Sequence, residues 1–295
     1  MNAGNHEGRE EGRIQVVSAG QPLYPALLKE IRDYPKTLYY IGRGELLKGR
    51  CASVVGSRTT TSYGRNTARA IASALASCGI TVVSGMAAGI DSCAHSGALD
   101  AGGKTIAVLG TGVDLCYPKD NAVLKQSIEA RGLVLSEYPP GTGAARHHFP
   151  QRNRIISGLS EVTCVVQARL RSGALITAEL AADQGREVLA VPGNIDSQYH
   201  MGTNQLIREG VQAVTSVDDV LSFMGLSRAE GRPPGRLSQT EELVYQMLQQ
   251  RGEMSAEEIC LSLSRPPGYL MPILSSLELK GHITSAAGKF FLANR

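Results

Sequence analysis

The sequence predicts an α/β protein: a doubly wound parallel sheet over about residues 45–220, followed by a small separate domain. Three observations carry that prediction. Short β-branched apolar runs alternate with stretches whose apolar residues recur at helical spacing. The runs are apolar at nearly every position, as strands covered on both faces must be, rather than at every second one. Near the end, "SRAEGRPPGR" at 227–236 is charged and rich in Pro and Gly, the composition of a linker.

In chain order, "QPLYPALLKEIRDYPKTLYYIG" reads as a helix and then an extended Tyr-rich segment packed against the sheet domain. "CASVVGS" at 51–57 is the first core strand, and 63–78 its helix. The unit then repeats. "ITVVSG" precedes "DSCAHSGALDAG", "KTIAVLGTG" precedes "NAVLKQSIEARG", and "GLVLSE" follows as a further strand. "EVTCVVQA" precedes "LITAELAADQG", and "REVLAVPG" precedes "TNQLIREG". Beyond the linker, 240–250 reads as a helix, Ser255 with Glu258 forms a capping box opening a second, and 270–280 is a third. "HITSAAGKFFL" closes as a short β-ribbon, so three helices and a wing predict a winged-helix domain. The expected divisions are a flexible N-terminus at 1–20, the sheet domain with its N-terminal extension at 21–225, a linker at 226–237 and the winged-helix-like domain at 238–295.

Composition narrows the function classes. With 42% hydrophobic residues over 295 positions, the chain can bury a sizeable core. A formal net charge of +3 does not announce nucleic-acid binding, so any basic footprint has to be local. The six cysteines are scattered without a C-x-x-C pair, which argues for buried thiols in a reducing cytoplasm and against zinc or a disulfide framework. No apolar run reaches the roughly 18 residues of a membrane span, and "MNAGNHEGREEGR" has no signal-peptide core. Residues 237–295 hold five Lys/Arg and six Asp/Glu, a net of −1, where a duplex-reading winged helix carries a basic recognition helix.

Ligands in open α/β sheets bind beyond the carboxyl ends of the strands, where Gly-rich loops and helix N-termini collect. "GSRTTTSYG" (56–64) offers backbone N–H groups and Arg58 to a phosphate, or is simply a tight turn with a surface arginine. "SGMAAGID" (84–91) and "LGTGVD" (109–114) are glycine-rich, but neither is a G-x-G-x-x-G with an acidic ribose partner, so NAD is disfavoured. "RLRSGALITAE" (169–179) sets Ser172 and Gly173 at a helix start that favours an anion, with Thr177 facing the same space. Between Arg146 and Arg171 five arginines stand against one acid, Glu161, a local net of +4. Phe149 in "FPQRNRIISGLS" lies beside Arg152 and Arg154, a combination in which a ring stacks an unpaired base while arginines hold phosphates. The alternatives are a core phenylalanine with solvated arginines, or a nucleotide ligand. Asp91 and His95 read as a helix N-cap and a packed histidine rather than an acid/base pair or metal ligands. No metal or cofactor is expected.

The succession "GSR…YG", "SGMAAGIDSCAH", "TIAVLGTGVDLCYP", "SEYPPG", "FPQRNRIISGLS", "SGALITAELAADQGREVLAVPG" and "GTNQLI" resembles the DNA-processing protein A family, DprA or Smf, over about residues 21–215. The resemblance implies a Rossmann-like fold that binds single-stranded DNA in a basic pocket, dimerises, and loads the recombinase RecA during natural transformation. It also implies a cytoplasmic protein without catalytic turnover. Carried over, the DNA pocket falls on Gly56, Ser57, Arg58, Phe149, Arg152, Asn153, Arg154, Ser172, Gly173 and Thr177, with Lys119 of "YPKDN" as a further phosphate contact. Ala88 departs from the Arg of "SGLARGID", Gln167 departs from the Glu of "VVEA", and the family's additional N-terminal helical domain is missing or reduced. The competing reading is a nucleotide-binding phosphoribohydrolase-like enzyme of related fold, with Glu179 as its carboxylate, although the "PGGxGTxxE" double glycine is absent. A third is a scaffold that recruits partners.

Overall fold

The computed structural model of the chain describes residues 14–227, 237–279, 282–286 and 288–292. The chain divides into two compact units, one ending at Arg228 and the other beginning at Ala229. In the first, β1 (Gln15–Ser18), α1 (Ala26–Lys29) and β2 (Thr37–Gly42) precede β3 (Cys51–Gly56), α2 (Ser62–Ser77), β4 (Thr81–Ser84), α3 (Ile90–Asp100) and β5 (Thr105–Val108). There follow α4 (Ala122–Arg131), β6 (Leu133–Ser136), α5 (His148–Gly158), β7 (Val162–Gln167), α6 (Gly173–Asp183), β8 (Glu187–Ala190), α7 (Met201–Arg208), β9 (Gln212–Ala213) and α8 (Val217–Phe223).

These strands form one nine-stranded sheet in the order β1-β2-β6-β5-β4-β3-β7-β8-β9. From β6 to β9 all neighbours are parallel, while β1–β2 and β2–β6 are antiparallel. The continuous apolar runs are explained by cover on both faces. Val54 and Val82 pack with Ile71, Leu75, Ala94 and Val220 of α2, α3 and α8. Their neighbours Val55 and Val83 pack on the opposite side with Leu28, Ile155, Ile156 and Ala178 of α1, α5 and α6. That alternation is the strand's period of two, with both halves buried.

The N-terminal segment differs from the expectation of a flexible stretch over 1–20. Residues 1–13 lie outside the described residues, but 15–18 pair with β2 from Gln15–Tyr40 to Ser18–Thr37. The Tyr-rich segment does more than pack on the sheet, because β2 joins it as a strand beside β6. Most of the linker expected over 226–237 also lies outside the described residues.

The second unit holds α9 (Gln239–Arg251), β10 (Glu253–Ser255), α10 (Ala256–Leu263), α11 (Pro267–Leu279), β11 (Ile283–Ala286) and β12 (Lys289–Leu292). The strands pair antiparallel in the order β10-β12-β11. Ser238 and Ser255 open α9 and α10 with capping boxes to Glu241 and Glu258. Val244, Leu248, Met254, Ile259, Leu270 and Leu274 supply this unit's own core.

Candidate functional site

Chain order along the sheet reverses between β3 and β7, so the loops leaving these two strands diverge and open a crevice at their carboxyl ends. A cleft of about 650 Å³ lies there, lined by the loop after β3, the loop after β4, the start of α5 and the turn from β7 into α6. Close backbone approach builds its floor. Gly89 has φ +86°, and a Cβ there would sit 2.4 Å from the Ser57 carbonyl oxygen. Glycine is what that contact and that φ require. The Ile90 N–H then donates to the same Ser57 oxygen at 3.2 Å, stitching the first loop to α3.

Nine of the eleven residues expected at a site line this cleft: Gly56, Ser57, Arg58, Phe149, Arg152, Asn153, Ser172, Gly173 and Thr177. Lys119 is exposed on the short turn before α4, and Arg154 faces elsewhere; neither belongs to the lining. The Arg154 guanidinium donates to both Glu137 oxygens, at 2.9 and 2.7 Å, with the two side chains only 20% and 17% exposed. This bidentate pair ties α5 to the end of β6.

Arg152 is 4% exposed. Its Nη1 donates to the Gly85 carbonyl at 2.5 Å and to the Val108 carbonyl, closing the ends of β4 and β5. A Cβ on Gly85 would collide with this guanidinium at 2.7 Å. Burial lowers the Arg152 pKa to about 10, against the pull of Asp91, which acts to raise it. Asp91 is not the N-cap of α3, which is Gly89, but a first-turn residue. Its carboxylate turns back to accept the N–H groups of Gly85 and Ala87 at 3.2 and 3.3 Å. Burial pushes the Asp91 carboxyl up, and Arg152 opposes that shift. His95 is packed, with Nδ1 2.7 Å from Thr105 Oγ1, and burial drives its pKa down to about 3. Because the Thr105 hydroxyl donates to Val82 O, His95 Nδ1 carries the proton.

The α6 end is arranged by short-range bonds. Ser172 caps the helix through its hydroxyl to the Ala174 N–H at 3.3 Å. The Asn153 amide donates to Gly173 O at 3.2 Å, which pins α6 to α5. The Thr177 hydroxyl bonds back to Gly173 O at 3.3 Å. Ser172, Gly173 and Ala174 at the start of α6 line the same cleft as Arg58, where the positive end of the helix dipole suits an anion.

The rim contains residues that the sequence reading left outside the site. Tyr117, 46% exposed, sets its ring 5.3 Å from Phe149. The Arg58 guanidinium lies 5.6 Å from the Phe149 centroid, and the ring edge lies 3.0 Å from a Cβ position on Gly110. Arg146 and Arg171 are exposed in the lining, whereas Arg169 stacks at 4.4 Å on Tyr199. Arg146, Arg169 and Arg171 were visible only as a charge count, and the signal for Tyr117 is its place in "YPKDN". Asp91 is the one carboxylate among the lining residues, and Glu179 is exposed outside them. Among the described residues, no three His, Cys, Asp or Glu side chains gather as a metal site, and no helix is long and apolar enough to cross a membrane.

Residues 15–225 match the family of DNA recombination-mediator protein A. The chain belongs to that family. The Smf protein of Synechocystis sp. is 43% identical over 223 residues, covering 74% of this chain and 56% of that protein, so the match spans little more than half of the relative's length. The X-ray structure of DNA processing protein A (DprA) from Streptococcus pneumoniae is 45% identical, with a TM-score of 0.69 over 72% of this chain and 75% of that one. A DNA processing protein A structure from Helicobacter pylori, one that concerns its single-stranded DNA binding mode, is 29% identical. Its TM-score is 0.66 over 72% of this chain and 95% of that one. Likeness to these structures extends the Rossmann-like description from the sheet order to the fold of known members of the recombination-mediator family.

Two positions at which this family member departs from the common motifs have distinct settings. Ala88 lines a recess of about 90 Å³ beside the main cleft, between Tyr117, Phe149 and Arg152. Gln167 ends β7 and is fully buried, holding the loop after β3.

Proposed function

We propose that this chain binds single-stranded DNA across the cleft and acts in DNA processing during natural transformation and recombination, without chemical turnover. The observation that carries the reading is the rim, where the Tyr117 and Phe149 rings stand beside Arg58 with Arg146 and Arg171 on the same cleft. Unpaired bases offer faces to stack on such rings while cations take the phosphates; a duplex hides those faces. Membership of the recombination-mediator family, and the single-stranded DNA named for the H. pylori relative, support it. Glu179 outside the lining and an Asp91 carboxylate bonded to backbone N–H groups weigh against the competing hydrolase reading.

Family membership also supports the wider role: protection of incoming DNA, loading of RecA, action as a homodimer, and residence in the cytoplasm. The second unit, read as a winged helix, serves as an accessory module rather than the main DNA grip, in keeping with its net charge of −1 (five basic against six acidic residues over 237–295). The test is binding of a single strand and of the matching duplex over a series of salt concentrations. Three exposed arginines at about 0.7 each predict a log–log salt slope near −2 on the single strand. Tighter binding to the single strand with that slope is expected. Equal affinity for both forms refutes the reading.

A further inference from the structure

We propose that Gln167 and His200 form a positioning pair that holds the Arg58 loop, and that a proton on His200 Nε2 releases it. The functional half of this inference rests on reading Arg58 as a DNA contact. Gln167 grips the loop at both ends. Its main-chain oxygen accepts the Ser57 N–H at 2.7 Å, and its side-chain oxygen accepts the Thr61 N–H at 3.1 Å. Its amide nitrogen lies 3.0 Å from Thr61 Oγ1 and 3.0 Å from His200 Nε2. Thr61 is the N-cap of α2, and its hydroxyl oxygen also accepts the Gly64 N–H at 3.1 Å. One buried side chain therefore fixes both the end of the Arg58 loop and the start of the following helix.

Donor and acceptor roles in this cluster are forced. The Thr61 N–H can only donate, so the Gln167 oxygen must face it. Both amide protons then point at Thr61 Oγ1 and His200, which makes His200 Nε2 an acceptor and places the ring proton on Nδ1. His200 is 4% exposed, and among the described residues its Nδ1 has no hydrogen-bond partner. The ring is held between Tyr63, at 5.5 Å, and Gly193, where a Cβ would fall 2.0 Å from the imidazole. Tyr63 is a titratable group packed against it, and its hydroxyl donates to Pro192 O at 3.2 Å. Burial lowers the His200 pKa.

Protonating Nε2 puts an N–H against the Gln167 NH₂ at 3.0 Å. Turning the amide does not help, because its nitrogen would then meet the Thr61 N–H. One bond of the clamp must break, and the loop that carries Arg58 loses an anchor.

Gln167→Glu inverts the pairing. A carboxylate still accepts from the Thr61 N–H, and its second oxygen accepts from a protonated His200. The experiment uses the full chain and follows three readouts between about pH 7.5 and 5: the His200 ring resonances, amide exchange at Ser57 and Thr61, and affinity for a single strand. In the wild type the ring should titrate below the ordinary histidine value. Thr61 protection, corrected for the intrinsic pH dependence of exchange, should fall about fivefold as it does so, the equivalent of one lost hydrogen bond. Gln167→Glu should lift the ring's titration above that value and keep Thr61 protected in acid, and single-strand affinity should follow the exchange, except on an Arg58→Ala background. A ring that titrates without moving either amide, or that titrates no higher in Gln167→Glu, overturns the positioning pair. Coupled titration and exchange with unmoved DNA affinity overturns instead the assignment of Arg58 to DNA.

Discussion

Replacing Arg152 with methionine separates a structural arginine from a phosphate-binding one. In the native cleft floor its guanidinium satisfies the Gly85 and Val108 carbonyls and faces Asp91. Methionine roughly keeps the volume but leaves a buried carboxylate with no cation beside it. Removing one partner of a buried charged set costs roughly 3–5 kcal/mol. In a unit of this size each kcal/mol moves the melting point by about 2–4 °C, so a fall of roughly 6–20 °C is expected. Asp91 adds a pH signature. Burial already raises its pKa, and loss of Arg152, which lowers it, raises it further. The folded variant then binds a proton that the unfolded chain releases, so the deficit against wild type should shrink as pH falls. The assay is thermal unfolding at two pH values, together with single-strand binding against salt at a temperature where the variant is folded. The salt slope should be unchanged. A melting point within about 2 °C of wild type, with a slope smaller by about 0.7, would refute the structural role and return Arg152 to the phosphate contacts.

Three further outcomes are expected. A double-mutant cycle of Arg154→Ala and Glu137→Ala should give a coupling of about 1–2 kcal/mol in stability, with no change in DNA salt slope; additive losses would dissolve the pair. His95, held near a pKa of about 3 by burial, binds fewer protons folded than unfolded between that value and the ordinary histidine range. Its contribution to stability is complete above about pH 6.5 and declines by up to about 1.4 kcal/mol per pH unit on acidification. Urea titrations at two pH values should show a shallower acid loss in His95→Gln, and an identical loss would remove His95 from the acid response. A chain ending at Gly231 should fold and keep its single-strand affinity within about tenfold; loss of binding by a folded truncation would assign DNA contact to the second unit.

The parallel core was legible because its signal is local and redundant. "CASVVGS", "ITVVSG" and "EVTCVVQA" each announce a two-faced strand, and β3, β4 and β7 lie there. What escaped was short or depended on distant pairing. β9 has two residues, and β1 has four whose partners lie some twenty positions on in β2. α8, seven residues long, carried a readable capping box, Ser216 with Asp219, close to the charged stretch taken as linker.

The site was legible by place but not by role. A switch point between β3 and β7 makes the loops after them the natural crevice, and Gly56 to Arg58 and Ser172 to Thr177 meet there. Role follows from what each guanidinium can reach, and charge counting does not see that. Arg152 and Arg154 are two residues apart on one helix, so they project in different directions: one meets open carbonyls at strand ends, the other Glu137. Arg169 is spent on Tyr199. The local +4 over 146–171 therefore reduces to two exposed arginines, Arg146 and Arg171, to which the fold adds Arg58 from a loop some ninety residues earlier. A cationic rim assembled from separate loops leaves no single basic stretch in the sequence, and its strength is measured by a salt slope rather than by counting arginines.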